Sequence, residues 1–357
     1  MPLLPLYGHA ALRTRFQAAV ARGSLPASLL LQGPRGVGKQ QLALWVAKLL
    51  LCENADRAPC GVCRACRMVD MVQHPDLHWF FPRPRPKDSA LDADAAQEDM
   101  AEAILERMAA GGIYEAPGGD EGIFISTTHA ITRAAAMSPA MGRRKVFVVG
   151  DADRMVAQEG TEQAANAFLK LLEEPPADTT IMLTSSEPGA LLPTIRSRVV
   201  SVRVAPLSND EVRAFLADPT VANQFDLRSA IRTEELVALA GGAPGRLIGR
   251  EAWEAALGQA RRILDAASSS DRGARMRVAL AQGGFGARGK FSDTLDALTM
   301  LLHERVRSAT ARGNSTEASG AARGVAAVEE TKELASGNVN PQLLTASLLH
   351  HLGTLAR

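Results

Sequence analysis

Residues 29–40 constrain the fold of this chain more than any other segment. Three leucines at 29–31 precede the sequence GPRGVGKQ at 33–40, and apolar residues at helical spacing follow over 42–50. The eight residues match the phosphate-binding pattern G-x-x-x-x-G-K-[ST] at every position except the last. Because glycines let backbone N–H groups surround a phosphate and the lysine adds charge, we predict a strand, a phosphate-binding loop and a helix. The candidate nucleotide-binding residues here are Gly33, Gly36, Gly38, Lys39 and Gln40.

Two departures from this pattern concern the metal ion that accompanies a bound nucleotide. The hydroxyl that normally ends the motif ligates Mg²⁺, whereas Gln40 carries an amide on a longer side chain. In P-loop ATPases a later strand ends with a metal-binding aspartate, followed by a second acid that polarises water. Here Gly150 and Asp151 follow the predicted strand, so one carboxylate is missing in either register. We predict that the chain does not hydrolyse ATP at a useful rate. The alternative to a phosphate-binding loop at 33–40 is a tight strand-to-helix turn that binds no ligand.

The rest of the pattern divides the chain into an α/β part and a helical part. Predicted strands at 77–81, 145–149 and 180–184 alternate with helices, which is typical of a parallel sheet covered on both faces. After about residue 207 only helices are predicted, at 210–217, 234–240, 251–267, 293–307 and 342–355. Residues 310–325, rich in Gly, Ala, Ser and Thr, are predicted to be a loose connection. A chain of 357 residues with 46% hydrophobic side chains is long enough for two or three domains.

All four cysteines lie within one short segment, at 52, 60, 63 and 66. Two-residue gaps let successive thiolates converge on one ion, and four thiolates form the closed tetrahedral shell that suits zinc. We predict a structural zinc ion held by Cys52, Cys60, Cys63 and Cys66. Free buried thiols and an iron–sulfur cluster are alternatives. A zinc-dependent nucleic-acid-binding module is disfavoured, since the segment lacks interleaved basic and aromatic residues.

Charges balance over the whole chain but not locally. Forty Lys and Arg residues face 39 Asp and Glu residues, which excludes nucleic-acid binding through bulk positive charge. Residues 87–121 contain ten acidic and two basic residues, with Met100, Ile104 and Met108 at helical spacing. They predict a surface insertion with one amphipathic helix; a solvated acidic face without a role is the alternative. Apolar runs too short for a membrane span and the absence of a signal-peptide pattern predict a cytoplasmic protein without a membrane partner.

These motifs together resemble the clamp-loader branch of the AAA+ family. Residues 166–176, NAFLKLLEEPP, are similar to the signature helix of that branch. Ser197-Arg198 matches its Ser-Arg-Cys motif, with Val199 in place of the cysteine. The cysteine module behind the P-loop helix and the sequence HPDL at 74–77 are further features of bacterial members. The resemblance is closest over 29–80 and 143–206 and weak beyond about residue 250, and the acidic insertion departs from it.

The resemblance implies three domains. An α/β P-loop (AAA+) domain would span residues 1–207 and include the zinc module at 52–66 and the acidic insertion at about 87–121. An all-α lid would follow over 208–250. A helical collar that assembles the complex would span 251–357.

It also implies roles for single residues. Arg196 and Arg198 could be an ordinary surface pair, but Arg198 falls where the branch places an arginine finger that acts in trans on an adjacent ATPase subunit. Thr184 falls at the polar sensor position beside the P-loop. Arg246 lies near the second sensor, displaced by one residue. Asp151, Thr184 and Arg246 would complete the degenerate nucleotide site of this chain, whereas Arg198 would act on another subunit.

The implied function is that of a non-motor subunit of a DNA polymerase III clamp loader, an accessory part of a nucleotidyltransferase holoenzyme. The implied partners are the gamma/tau and delta subunits and, through the complex, the sliding clamp and primed DNA. The implied cofactors are structural zinc and ATP bound without hydrolysis. The alternative within the family is an ATP-hydrolysing motor subunit similar to gamma/tau.

Overall fold

A five-stranded parallel sheet lies at the centre of residues 1–248, as the alternating pattern predicts. The structure is a computed structural model that describes residues 2–84, 93–113, 121–155, 168–224, 232–269, 271–282, 288–335 and 339–355. The strands are β1 (Ser28–Gln32), β2 (Leu77–Phe80), β5 (Lys145–Val149), β6 (Thr179–Ser185) and β7 (Val200–Arg203), in the spatial order β2-β5-β6-β1-β7. Two further short strands, β3 (Arg83–Pro84) and β4 (Glu121–Gly122), form an antiparallel pair.

The strand register determines which chain segments meet at each edge of the sheet. Leu29 lies opposite Met182 on one side and Val200 on the other, and Val149 lies opposite Leu183. Since the strands are parallel, the segments that follow β1, β5 and β6 converge at the carboxyl edge. Ligands bind at this edge in open parallel sheets. The short uninterrupted apolar runs of β1 and β5 are buried because helices cover both faces.

Helices flank the sheet. They are α1 (Ala10–Ala21), α2 (Lys39–Leu51), α3 (Arg64–Asp70), α4 (Ala93–Ala109), α5 (Ile125–Ala136), α6 (helical over 168–173), and α7 (Pro193–Arg196). The apolar face of α2, including Leu42 and Val46, is fully buried in the core. The predicted signature helix at 166–176 begins outside the described residues, but Phe168 and Leu172 lie in the core and the helix ends before Pro175.

The predicted helix of the acidic insertion is present as α4. Its apolar face packs into the main core, where Met100 is 3% and Ala103 is 1% exposed. The opposite face presents Glu98, Glu102 and Glu106 to solvent. Residues 85–92 and 114–120 of the insertion lie outside the described residues. The described helix is therefore amphipathic, with one face contributing to the stability of the α/β core.

Three helices complete residues 1–248: α8 (Asn209–Ala217), α9 (Pro219–Gln224) and α10 (Thr233–Ala240). Ser208 begins α8 with a capping box, in which its hydroxyl accepts from the Glu211 N–H and the Glu211 carboxylate accepts from the Ser208 N–H. A small apolar cluster of their own includes Leu207, Val212 and Leu236. The division of this part into a core and a lid at residue 207 stays a prediction.

Residues 249–357 form a second compact unit of five helices among the described residues. They are α11 (Arg250–Ser268), α12 (Arg272–Leu280), α13 (Arg288–Ala311), α14 (Ser315–Ala335) and α15 (Pro341–Leu355). After Arg203, the described residues contain helices and turns but no strand, as predicted.

The prediction of a loose connection over 310–325 is wrong. Only 312–314 separate α13 from α14, and Asn314 accepts from the Glu317 N–H at 3.1 Å to start the second helix. The most frequent residue in the segment is alanine, the strongest helix former. A Cβ at Gly324 would lie 3.2 Å from Leu302 Cδ2 and from Leu352 Cδ2, so the small residues let α14 pack closely on its neighbours. Composition alone missed this packing.

In the described part of the chain, no helix combines the length and the apolar character that a membrane crossing requires.

Candidate functional site

The predicted phosphate loop lies between β1 and α2, at the carboxyl edge of the sheet. Gly36 and Gly38 adopt positive φ angles of 79° and 94°, which a side chain would strain. Lys39 is 6% exposed, and its Nζ donates to the carbonyls of Gly33 and Pro34, each at 3.0 Å, and to Ser186 Oγ at 2.8 Å. The chain therefore turns from β1 into α2 through two glycines with left-handed backbone, and the loop lysine is bonded to the loop itself and to the residue that follows β6.

Gln40 occupies the place where the pattern expects a metal-binding hydroxyl. Its Nε2 donates to Asp151 Oδ2 at 3.0 Å, and its Oε1 accepts from Trp79 Nε1 at 3.0 Å. A Cβ on Gly150 would lie 2.4 Å from Gln40 Nε2. The absence of a side chain at 150 is thus what leaves room for the amide. Because both ends of this amide are engaged by protein groups, Gln40 does not replace the hydroxyl ligand that Mg²⁺ has at this position of the pattern.

An arginine from the acidic insertion supports this arrangement. The Arg107 guanidinium carbon lies 3.1 Å from the ring centroid of Phe81 and 5.4 Å from that of Trp79. These are cation–π distances, and the charge lies over the ring whose N–H holds Gln40. The chain of contacts Arg107–Trp79–Gln40–Asp151 thus links α4 to the end of β5.

The end of β5 carries two carboxylates in different environments. Asp151 has a left-handed backbone (φ 47°), and its N–H donates to Thr184 Oγ1 at 3.0 Å. Asp153 is buried; burial, followed by the carboxylates of Asp151 and Glu187, raises its pKa to about 6. Thr184 is fully buried at the predicted sensor strand, where it orients the Asp151 backbone.

The predicted second-sensor segment contacts the phosphate loop through its backbone. The Gly245 N–H donates to the Gly36 carbonyl at 2.9 Å, and a Cβ on Gly36 would lie 2.8 Å from the Arg246 N. The Arg246 side chain turns back toward α10, where Nη1 donates to the Ala240 carbonyl at 3.4 Å. The backbone of Arg246 therefore lies beside the phosphate loop, while its guanidinium is directed to the carboxyl end of α10.

The four cysteines converge as the spacing predicts. Their sulfur atoms all lie within 4.8 Å of one another, and the Cys52–Cys63 and Cys60–Cys66 pairs are each 4.0 Å apart. Tetrahedral zinc with Zn–S bonds of about 2.3 Å places its sulfurs about 3.8 Å apart, so the set fits zinc. Clustering within metal-binding distance is confirmed; which ion it holds stays a prediction.

Backbone donors surround the sulfurs. The N–H groups of Cys60, Cys63 and Cys66 donate to the preceding cysteine sulfur at 3.3–3.4 Å. Hydrogen bonds from the Val62 and Cys63 backbone lower the pKa of Cys60 to about 6, whereas burial raises the pKa of Cys52 and of Cys66. Because a metal binds cysteine as the thiolate, a cation at this knuckle would have to displace the protons of Cys52 and Cys66.

Arg198 lies away from the phosphate loop of its own chain. It precedes β7, and Leu29 pairs with Val200, so Arg198 sits at the amino edge of the sheet while the loop follows the carboxyl end of β1. Four residues of strand separate the two edges by about 13 Å. The guanidinium bonds Glu173 Oε1 from Nε at 2.9 Å and the Thr194 carbonyl from Nη1 at 2.8 Å. Arg198 and the phosphate loop of its own chain therefore lie at opposite edges of the sheet.

Sequence reasoning missed four side chains that complete these sites. Ser186 accepts a hydrogen bond from the loop lysine, and Glu173 accepts one from Arg198. Trp79 donates to Gln40, and Arg107 lies over the Trp79 ring. Each partner is remote in sequence from the residue it contacts. One sequence signal could have pointed to the Gln40 contacts: a long amide side chain replaces a small hydroxyl at position 40, and the glycine at 150 leaves room for it.

Residues 8–208 match the family described as DNA polymerase III, delta subunit. Over 216 residues the chain is 32% identical to DNA polymerase III subunit delta' of Pseudomonas aeruginosa, covering 60% of this chain and 52% of that protein. The delta' subunit of Escherichia coli is 30% identical over 219 residues, covering 61% and 52%. The gamma/tau subunit of Mycobacterium tuberculosis is 30% identical over 200 residues, covering 56% and 28%.

The chain spans about half the length of the curated delta' relatives it matches. Among solved structures, a DNA polymerase III gamma subunit-related protein of Thermotoga maritima is 18% identical, with a TM-score of 0.37 and coverage of 96% of this chain and 99% of that one.

Proposed function

The chain belongs to the delta-prime-like family of DNA polymerase III subunits, and from this premise we propose that it is a non-motor subunit of a clamp loader. In this role it assembles with gamma/tau and delta subunits. The complex loads a sliding clamp on primed DNA with energy from ATP that the gamma/tau subunits hydrolyse. The chain contributes structure and a trans-acting arginine rather than hydrolysis.

The observation that carries this proposal is the Gln40 amide. It bridges Asp151 and Trp79 at 3.0 Å each and fills the space that Gly150 leaves. Metal-assisted neutralisation of phosphate charge is a large part of phosphoryl transfer, and this site lacks the hydroxyl that would hold the metal. ATP, if bound in the remaining cradle of Gly33, Gly36, Gly38 and Lys39, would not be turned over.

The zinc module supports assembly in this proposal without taking part in catalysis. Four sulfur ligands leave no open position for water or substrate on a tetrahedral ion. The module extends from Cys52, at the end of α2, to Cys66 in the first turn of α3, directly after the helix that begins at the phosphate loop. Zinc would hold these two helices in a fixed relation.

Arg198 supplies the trans contact in this proposal. Its position at the edge remote from its own phosphate loop supports action on a neighbouring subunit. A guanidinium that approaches the terminal phosphate of a bound nucleotide stabilises transition-state charge, which in other nucleotide hydrolases contributes about 10³-fold or more.

The test has two arms, with the cognate gamma/tau and delta subunits. The isolated chain is expected to show no Mg²⁺-dependent ATPase activity. In the reconstituted complex, Arg198→Ala is expected to leave assembly intact while lowering clamp- and DNA-stimulated ATPase severalfold or more, and Arg196→Ala serves as the neighbouring control. Turnover by the isolated chain that Lys39→Ala abolishes would favour the motor subunit instead. Unchanged ATPase of the Arg198→Ala complex would exclude the trans role.

A further inference from the structure

The Arg198 guanidinium is bound by its own chain on two sides. Nε donates to Glu173 Oε1 at 2.9 Å, and Nη2 contacts the same oxygen. Nη1 donates to the Thr194 carbonyl at 2.8 Å and to Ser197 Oγ at 3.2 Å. The Arg198 side chain is 31% exposed and that of Glu173 is 46% exposed. The two sets of contacts differ in kind, because the first neutralises charge and the second only orients the side chain.

We propose that Glu173 is a positioning residue that retains the Arg198 guanidinium on its own chain until the neighbouring subunit presents a nucleoside triphosphate. The inference rests on the trans role proposed above. Glu173 would control when Arg198 is available to the neighbouring subunit.

The exposure of the pair makes this contact reversible. Exposed ion pairs contribute little net stability, because water and salt screen them. A triphosphate carries more negative charge than one carboxylate and offers a guanidinium several acceptor oxygens at once. The arginine therefore leaves Glu173 for a triphosphate, and it returns when the neighbour holds a diphosphate or no nucleotide.

The contacts to Thr194 and Ser197 keep the Arg198 guanidinium oriented during this exchange. They lie on α7 and the turn that follows it, immediately before Arg198, and do not involve Glu173 on α6. When the carboxylate contact breaks, Nη1 keeps its bonds to the turn. The guanidinium then presents Nε and Nη2 toward the neighbouring subunit.

The test uses the reconstituted complex and compares its ATPase activity with and without clamp and primed DNA. Glu173→Gln keeps the shape and an acceptor oxygen but removes the charge. It is expected to raise the basal rate about two- to fivefold, the range that loss of an exposed ion pair supports. The ratio of stimulated to basal rate is expected to fall by the same factor. Glu174→Gln removes a charge from the next residue, which is exposed, and is expected to change neither rate.

The double variant Glu173→Gln/Arg198→Ala is expected to behave as Arg198→Ala alone, because the carboxylate acts only through the arginine. A basal rate that is unchanged or lowered in Glu173→Gln overturns the inference, since a merely structural support would lose activity. The single variant Arg198→Ala, which keeps Glu173, tests the trans role separately. If it lowers ATPase while Glu173→Gln has no effect, retention by Glu173 fails and the proposed function stands.

Discussion

At the scale of single residues, the replacement of a hydroxyl by Gln40 is coupled to the glycine at 150. A Cβ at position 150 would lie only 2.4 Å from Gln40 Nε2, so the amide fills space that a side chain at 150 would need. The two positions therefore form one steric unit, and neither substitution can be understood alone.

Gly150→Ala is expected to displace the Gln40 side chain and leave the Trp79 indole N–H without its acceptor. Loss of these part-buried hydrogen bonds should lower the free energy of unfolding by about 1–2 kcal/mol. In a Gln40→Ala background the same change should cost much less, because the space is then empty. Chemical denaturation of the four variants in a double-mutant cycle measures the coupling. Equal costs in both backgrounds would contradict it.

The buried Asp153 predicts a pH dependence of stability. Its pKa rises from 3.8 to about 6, so between these values the folded state binds more protons than the unfolded state. The contribution of this group to stability is therefore most favourable below about pH 4 and is lost as pH rises through 6. Asp153→Asn should remove this slope and stabilise the protein at pH 8 by about 3 kcal/mol.

Denaturant titration across this pH range measures the effect. Glu98→Gln, at an exposed position on α4, is the matched control and should leave the slope unchanged. A slope that persists in Asp153→Asn would show that other groups produce it.

At the scale of elements, the cysteine knuckle joins α2 to α3 through a segment with little apolar core of its own, in which Val62 is 72% exposed. We expect about one zinc per chain by elemental analysis. Cys63→Ser should release the metal and lower Tm, as should a strong chelator, because metal binding contributes to folding free energy. Val62→Ser, within the same turn, should keep the metal. Full folding stability without metal would contradict a structural role.

At the scale of the whole molecule, the described residues divide into units at 1–248 and 249–357. The first has its own core around the sheet, and its last turn, Pro244–Leu247, hydrogen-bonds the phosphate loop. A chain ending at Ile248 is therefore expected to fold cooperatively and bind zinc. It should fail to join gamma/tau and delta in gel filtration, because the proposed collar is missing. Recovery of the complex with this shortened chain would contradict the assignment of assembly to residues 249–357.

Much of the fold could be predicted because its signals are local. The phosphate loop, β5 and the convergence of four cysteines depend on residues close together in sequence, with spacing that geometry makes informative. The loose connection at 310–325 was a wrong prediction, because the Gly, Ser and Thr residues of that segment suit a loop until the close packing of Gly324 against Leu302 and Leu352 is known. Helix formation there depends on neighbours distant in sequence.

The sequence by itself determined the family, the α/β arrangement and the absence of a hydroxyl at position 40 and of a side chain at position 150. Only the tertiary structure decided what replaced them. It joins Gln40 to Trp79 and Asp151, places Arg107 of the acidic insertion over that tryptophan, and pairs Arg198 with Glu173. The physical reason is that a motif records which side chains are present within a short segment. Hydrogen bonds and ion pairs depend on which remote side chains the sheet register and helix packing bring within reach.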